Sequence, residues 1–385
     1  MSEYLPGLAG VPATESNISD IDGEKGLLTY CGYPIEELAK HSSFEETTLL
    51  LLDGELPGRE ALDEFSQELR RNRSLNGGVH AVMERFPPSG HPMEVLQATV
   101  ASLGMFYPGK QSFAPGKSGF DRQYIHEMTV KIIARMSSIV AAWEWRRNGR
   151  TPPEPRVDLN HAENFLHMFT GEEPDPLLAR ILDTCLILHA EHTINASTFA
   201  VLVTGSTLAS PYSVIAAAIG TLSGPLHGGA NQKVVEMLKE IGTPDRAQAY
   251  VDARLANKEV VWGMGHREYK TKDPRAKILQ GLVQELTVAR GGKVSPLFEV
   301  ARAVEEVCED RLSKKGVYAN VDFYSGVLYS EMGIPADQFT SLFAIARSAG
   351  WLAHWREQIC DNRIFRPTQV YNGKPRRGYR PIAQR

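Results

Sequence analysis

From Thr193 to Gln232 the chain runs for forty residues without one Asp, Glu, Lys or Arg, and such a stretch has to be buried wherever it ends up. Roughly 20 apolar residues suffice to cross a bilayer, so a membrane span is the first competitor. Thr204–Thr207 and Ser210–Ser213, with Pro211 among them, cut the run into two pieces too short for that. Two buried helices are the reading that remains. A helix apolar all round must be covered on every side, which also makes this pair a candidate subunit contact.

The composition fits a soluble chain. With 42% hydrophobic and 23% charged residues it is neither disordered nor fibrous. Its 385 residues exceed what one compact core usually holds, which predicts two domains. Forty-two Lys and Arg against forty-six Asp and Glu leave a net charge of −4, which argues against a nucleic-acid footprint over the surface. Cys31, Cys185, Cys308 and Cys360 contain no close pair, so neither a zinc ribbon nor a CxxC redox motif is expected, and a reducing compartment is. The opening MSEYLPGLAGVPA lacks a basic segment followed by an apolar one. A cytoplasmic protein with no membrane and no nucleic-acid partner is the expectation.

Local patterns are almost all helical. Thr14–Asp20 and Leu27–Tyr30 flank an Asp-Gly turn and predict a small hairpin. Ser43 followed by Glu46 predicts a capping box ahead of Leu49–Leu52. Helical spacing then predicts Met93–Phe106, Gln123–Trp145, Asn164–Phe169, Pro176–His189, Ser197–Leu208 and Ser213–Leu222. Beyond these come Ala230–Ile241, Asp245–Ala256, Ala276–Ala289, Ser295–Leu312 and Ala336–Trp355. Tyr107–Gly119, rich in Gly, Pro, Ser and Lys, predicts a mobile loop. Lys374–Arg385, with five basic side chains and no acid, predicts a frayed tail. No repeat and no βαβ rhythm appear, so the fold class is all-α.

Chemistry concentrates at a few positions. His227 in Gly-Pro-Leu-His-Gly-Gly and His266 in Gly-Met-Gly-His-Arg have glycines on both sides, which lets backbone approach a ligand closely. A structural hydrogen-bonded role is the competing reading for each. His189 and His192 lie three apart on a helix, but the HExxH spacing is missing and no cysteine assists, so no metal is expected. Asp322, between Val321 and Phe323, is a carboxylate whose desolvation would make it a stronger base; a helix cap or an ion pair is the alternative. Arg347 is the lone charge between Asp337 and Arg356 and shares a helical face with Phe343, Trp351 and His354. A guanidinium so placed needs an anionic partner, from protein or ligand. Arg275 and Arg366 add further planar forks suited to carboxylates. GxxxxGK[ST] is absent and Gly263-Met-Gly-His-Arg-Glu fails the GxGxxG pattern, so neither ATP hydrolysis nor Rossmann-type NAD binding is supported. An aspartate base, glycine-flanked histidines and several arginines suit enolisation of one substrate beside an anionic second one.

The segments PGLAGVPATESNISDIDGEKGLLTYCGY, LHAEHTINAST, GPLHGGAN, GMGHREYKTKDPRAK, YANVDFYSG, FAIARSAGWLAHW and NRIFRPTQVY, in that order, resemble citrate synthase from about Pro6 to Tyr371. The length is similar to the shorter bacterial and archaeal form. The resemblance implies a two-domain helical fold, with residues 1–228 and 334–385 as a large domain and 229–333 as a small one that closes over it. It implies a homodimer whose active site is shared between subunits. It also implies condensation of acetyl-CoA with oxaloacetate and water to citrate and CoA, in the tricarboxylic acid cycle. No cofactor is called for, since acetyl-CoA is a substrate. Carried over by motif, Asp322 removes the methyl proton, His227 stabilises the enol, and His266 polarises the oxaloacetate carbonyl. His192, Arg275, Arg347 and Arg366 hold oxaloacetate and citrate, Arg366 reaching in from the other subunit. Val261, Gly263, Met264 and Gly265 lie by the adenine, and Lys270, Lys314 and Lys315 meet CoA phosphates.

Cys31, Trp262, Met264 and Glu268 depart from the family pattern, and Glu268 would place a carboxylate near the CoA phosphates. Two alternatives accompany this reading. One is 2-methylcitrate synthase, which uses propionyl-CoA on the same scaffold; the other is a helical scaffold that has lost turnover.

Overall fold

The computed structural model describes residues 4–8, 10–112 and 119–385. Near the N-terminus, β1 (Ser19–Asp22), β2 (Leu27–Tyr30) and β3 (Tyr33–Pro34) form one antiparallel sheet in the order β1-β2-β3. Helices follow as α1 (Ile35–His41), α2 (Phe44–Asp53), α3 (Arg59–Asn72), α4 (Gly77–Met83), α5 (Pro92–Phe106), α6 (Arg122–Arg147), α7 (His161–Thr170) and α8 (Pro176–His189). The remaining ones are α9 (Ala196–Gly205), α10 (Pro211–Leu222), α11 (Ala230–Ile241), α12 (Ala247–Ala256), α13 (Pro274–Ala289), α14 (Pro296–Leu312), α15 (Val321–Glu331) and α16 (Phe339–Cys360).

The all-α expectation holds, with differences that have local causes. The first strand is Ser19–Asp22, paired Ser19 to Tyr30 and Asp22 to Leu27, not Thr14–Asp20. A third strand extends the hairpin because Cys31 and Gly32 both adopt positive φ, 48° and 85°, as a two-residue type I′ loop requires. Four helices escape the periodicity reading. Among them α3 is heavily charged and buries only Phe65 and Leu69, while α15 hides behind the polar Asn320, Asp322 and Ser325 and the helix-weakening Gly326. Ser43 does cap α2, accepting from the Glu46 amide at 3.2 Å, but the full reciprocal capping box forms instead at Asn160 and Glu163 on α7. Of the Tyr107–Gly119 loop, residues 107–112 and 119 carry no helix or strand, and 113–118 lie outside the described residues. The basic tail is exposed, with one 3₁₀ turn at Ile382–Gln384.

α16 forms the centre, buried without a break from Phe339 to Trp355 and packed on α2, α6, α8, α9 and α10. The uncharged run becomes α9 and α10, which pack on each other and on α5 and α16. No helix of the described residues is long and apolar enough to cross a membrane. Helices α11 to α15 pack mainly among themselves. They meet the others through α13 on α1 and α8, and through α11 on α16.

Candidate active site

Two groups of side chains face one another across that junction. The first comes from the α8–α9 turn, the α10–α11 turn and α16. His192 is 7% exposed. Arg347, 1% exposed, donates from Nε to the His189 carbonyl at 2.7 Å and lies over the Phe343 ring. Among the described residues no carboxylate lies within ion-pair distance of its guanidinium. Burial therefore lowers its pKa to about 10, against the opposing pull of Glu191.

The face of α16 that carries Arg347 also anchors the rest of this half. Trp351 Nε1 donates to Ser197 Oγ at 3.1 Å, and His354 Nε2 pairs with the buried Glu191 at 3.0 Å. Ser197 in turn holds His227. Its backbone N–H donates to His227 Nε2 at 3.3 Å, and its Oγ lies 2.9 Å from the same nitrogen. An amide can only donate, so Nε2 is the acceptor and the imidazole proton resides on Nδ1.

The second group belongs to α11–α15 and their connections. Gly263 and Gly265 adopt φ of +78° and +87°, and a Cβ on Gly263 would fall 2.8 Å from Val234 Cγ2 and 2.9 Å from Phe323 Cβ. This close fit lets 263–265 run beside 318–320. Gly265 N donates to Tyr318 O at 2.7 Å, Asn320 N to Gly263 O at 2.9 Å, and Asn320 Nδ2 to Gly265 O at 2.8 Å. His266 and Asp322 emerge from the ends of this pairing. The Glu268 amide donates to His266 Nδ1 at 3.0 Å, so Nε2 carries the proton. Asn320 caps α15 by accepting from the Asp322 amide at 3.0 Å.

Arg275 is 2% exposed and is clamped by Asp273, with Nε to Oδ1 at 3.0 Å and Nη2 to Oδ2 at 2.7 Å. Asp273 Oδ2 also accepts from the Val321 amide at 3.2 Å, tying this arginine to the start of α15. Burial works against the Arg275 charge, but Asp273 outweighs it and holds the pKa above its usual value.

Between the groups, the His192 and His266 rings meet edge to face at 5.0 Å, and Tyr269 OH lies 3.1 Å from His192 Nε2. Burial, reinforced by the arginines, makes these histidines neutral. His227 is lowered to about 4 by burial and Arg347, His266 to about 4 by burial and Arg275, and His192 falls well below its ordinary value. Asp322 moves the opposite way, raised by burial to about 7 despite Arg275 and Arg347. Its Oδ1 is buried with no hydrogen-bond partner. A position in the first turn of α15 favours the anion by only about 0.3–1 kcal/mol, so desolvation dominates. The result is a carboxyl that ionises near neutrality, two neutral N–H donors and two buried cations.

Arg366 stands apart within one chain. It is exposed and donates to its neighbour Pro367 O at 2.7 Å, on an extended segment that leans on α9 through Asn362 and Phe365. Val261 is buried beside the His266 loop, and Trp262 and Met264 are half-buried. Lys270, Lys314 and Lys315 are exposed around Gly316, whose added Cβ would lie 3.3 Å from Lys270 O. Sequence reasoning missed Ser197, Tyr269 and Asp273 as members of the site. Two of them had a signal, since Asp-Pro-Arg and Asn-Ala-Ser-Thr are helix starts whose polar side chains must bond something.

Comparison with known proteins identifies the family. The family described as "Citrate synthase, C-terminal domain" matches residues 7–368. Citrate synthase of Acidithiobacillus ferridurans is 59% identical over 99% of this chain and 98% of its own, and that of Haloferax volcanii is 43% identical over 100% and 99%. The fold superposes on Thermoplasma acidophilum citrate synthase, solved as a ternary complex with carboxymethyl coenzyme A and oxaloacetate, with a TM-score of 0.92, 31% identity and full coverage of both chains. The chain belongs to the citrate synthase family of acyltransferases.

Proposed function

We propose that Asp322, His227 and His266 carry out the condensation of acetyl-CoA with oxaloacetate. The observation that carries this assignment is the desolvated Asp322 carboxyl, unpartnered at Oδ1, near two arginines of which one lacks a protein carboxylate. Arg347, Arg275 and His192 bind the oxaloacetate dianion, with Arg366 contributed by a second subunit. Asp322 takes a methyl proton from acetyl-CoA while the C–H electrons move toward the thioester oxygen. That oxygen is stabilised by the Nδ1–H of His227. The new carbon nucleophile attacks the oxaloacetate carbonyl, whose oxygen accepts from the Nε2–H of His266. Water then cleaves citryl-CoA to citrate and CoA. Neutral donors aimed at a developing oxyanion supply about 2.7–4 kcal/mol each in a dry site. Shielding from water comes from closure of a small domain, 229–333, over a large one, 1–228 with 334–385. Val261, Gly263, Met264 and Gly265 line the adenine side, and Lys270, Lys314 and Lys315 meet the phosphates.

The assembly is a homodimer in the cytoplasm. Support comes from α5 and α9, which leave small and apolar residues such as Ala98, Ala101, Met105, Ala196 and Val203 uncovered in one chain. Thiol release from acetyl-CoA, with and without oxaloacetate, tests the whole reading. Wild type should release thiol only with oxaloacetate, Asp322→Ala almost none, and propionyl-CoA should be the poorer substrate. Oxaloacetate-independent release, or full activity in Asp322→Ala, would overturn it.

A further inference from the structure

The hairpin has no part in the chemistry above, yet it touches both halves of the site. Its stem is fixed to the residues that flank His192. Ser19 Oγ donates to Glu191 Oε1 at 3.0 Å and accepts from the Thr193 amide at 3.2 Å, and the buried Tyr30 hydroxyl donates to Glu191 O at 2.8 Å. Its tip is fixed to the His266 loop, far along the sequence. The Lys270 amide donates to Gly23 O at 3.0 Å. Gly23 itself lies against the Glu268 peptide so closely that an added Cβ would overlap the Glu268 carbonyl oxygen and sit 2.8 Å from its carbon. On the other side of the tip, a Cβ on Gly26 would press on Thr271 Cγ2 at 2.6 Å.

The same Glu268 residue orients His266, since its amide is the 3.0 Å donor to Nδ1. A displacement of the Glu268 backbone therefore turns the imidazole. The tip holds its own turn without help from the loop, because Asp22 accepts from the backbone amide of position 25 at 3.0 Å, a bond that does not depend on the Lys25 side chain.

We propose that Gly23 is a positioning residue, and that the hairpin tip is a dock which seats the Glu268–Lys270 backbone and thereby sets His266 against His192. This rests on the role given to His266 above. Gly23 is outside the left-handed region, so alanine leaves the hairpin unstrained and only blocks the dock; the obstacle is backbone, which a side-chain rotation cannot relieve.

Two measurements test it on the full-length protein. Hydrogen exchange should find the Lys270 amide protected in wild type and fast in Gly23→Ala, with the amides of α16 unchanged. Kinetics of Gly23→Ala should show kcat/KM lower by about 10²-fold, the loss that a misplacement near 1 Å produces. Lys25→Ala, which alters the exposed side of the tip, should match wild type. Fast exchange at Lys270 in wild type overturns the dock even if Gly23→Ala fails to fold. An exposed Lys270 amide with unchanged kcat/KM overturns the positioning role, as does an equal kinetic loss in Lys25→Ala. Should wild type release no thiol with oxaloacetate, the functional assignment fails, and with it the positioning role, whereas Lys270 protection still reports on the dock.

Discussion

Asp322→Asn should make the protein more stable and nearly inactive at once, with a gain in stability that grows with pH. In the unfolded chain this carboxyl ionises near 3.8, whereas in the native state burial raises it to about 7. An acid raised on folding binds more protons in the native state between those two values, so native stability falls as pH climbs through that window and levels off above it. At about 1.36 kcal/mol per pH unit, the shifted carboxyl costs the fold about 2 kcal/mol at pH 5, where it folds protonated, and about 4 kcal/mol at pH 8, where it folds ionised. Asparagine has the same shape and no charge, and the Asn320 cap bonds the backbone amide of position 322 rather than its side chain. The advantage of the variant should therefore widen by about 2–3 kcal/mol from pH 5 to pH 8. Urea unfolding of both proteins at each pH reads this directly, and the difference between them cancels every other titrating group. An advantage that is the same at both pH values would refute desolvation as the origin of the base strength. The rate should follow the same group, with kcat/KM for acetyl-CoA falling about tenfold per pH unit below pH ~7. The histidines, at about 4, stay neutral above pH 5 and add no limb there.

Ser197→Ala removes the Oγ contact to His227 and strands the buried Trp351 N–H, so kcat should drop while unfolding free energy falls by about 1–3 kcal/mol; unchanged kcat would detach Ser197 from the site. Arg275→Met leaves Asp273 buried and unpaired, at a cost of about 3–5 kcal/mol in denaturation, part of which adding Asp273→Asn should restore. If it does not, Asp273 is not the strained partner. Glu268→Val should lower KM for acetyl-CoA by no more than about fivefold, since an exposed charge pair is worth about 0.2–1 kcal/mol, and high salt should erase the gain. An unchanged KM at low salt would remove the repulsion.

How legible the site was in the sequence depended on whether a residue acts locally or at a distance. The uncharged run and Arg347 were readable because burial demands uniform polarity along a helix, and α9, α10 and α16 obey that demand. The glycines beside His227 and His266 marked places where backbone could approach a ligand; at Gly263 the space a side chain would need is taken by Val234 and Phe323. What periodicity does not encode is the partner of each group. That Asp273 both clamps Arg275 and accepts from Val321 joins residues about fifty positions apart through an oxygen with two donors. That Ser197 sets the tautomer of His227 follows from one amide direction. The hairpin is the extreme case. As a pattern it is a short turn motif with a glycine that any tight loop would accept, yet Gly23 does not need its own conformational freedom. Its missing side chain is required by the Glu268 peptide, a neighbour far along the chain, so the constraint on position 23 is written at position 268 and appears only once the two are brought together.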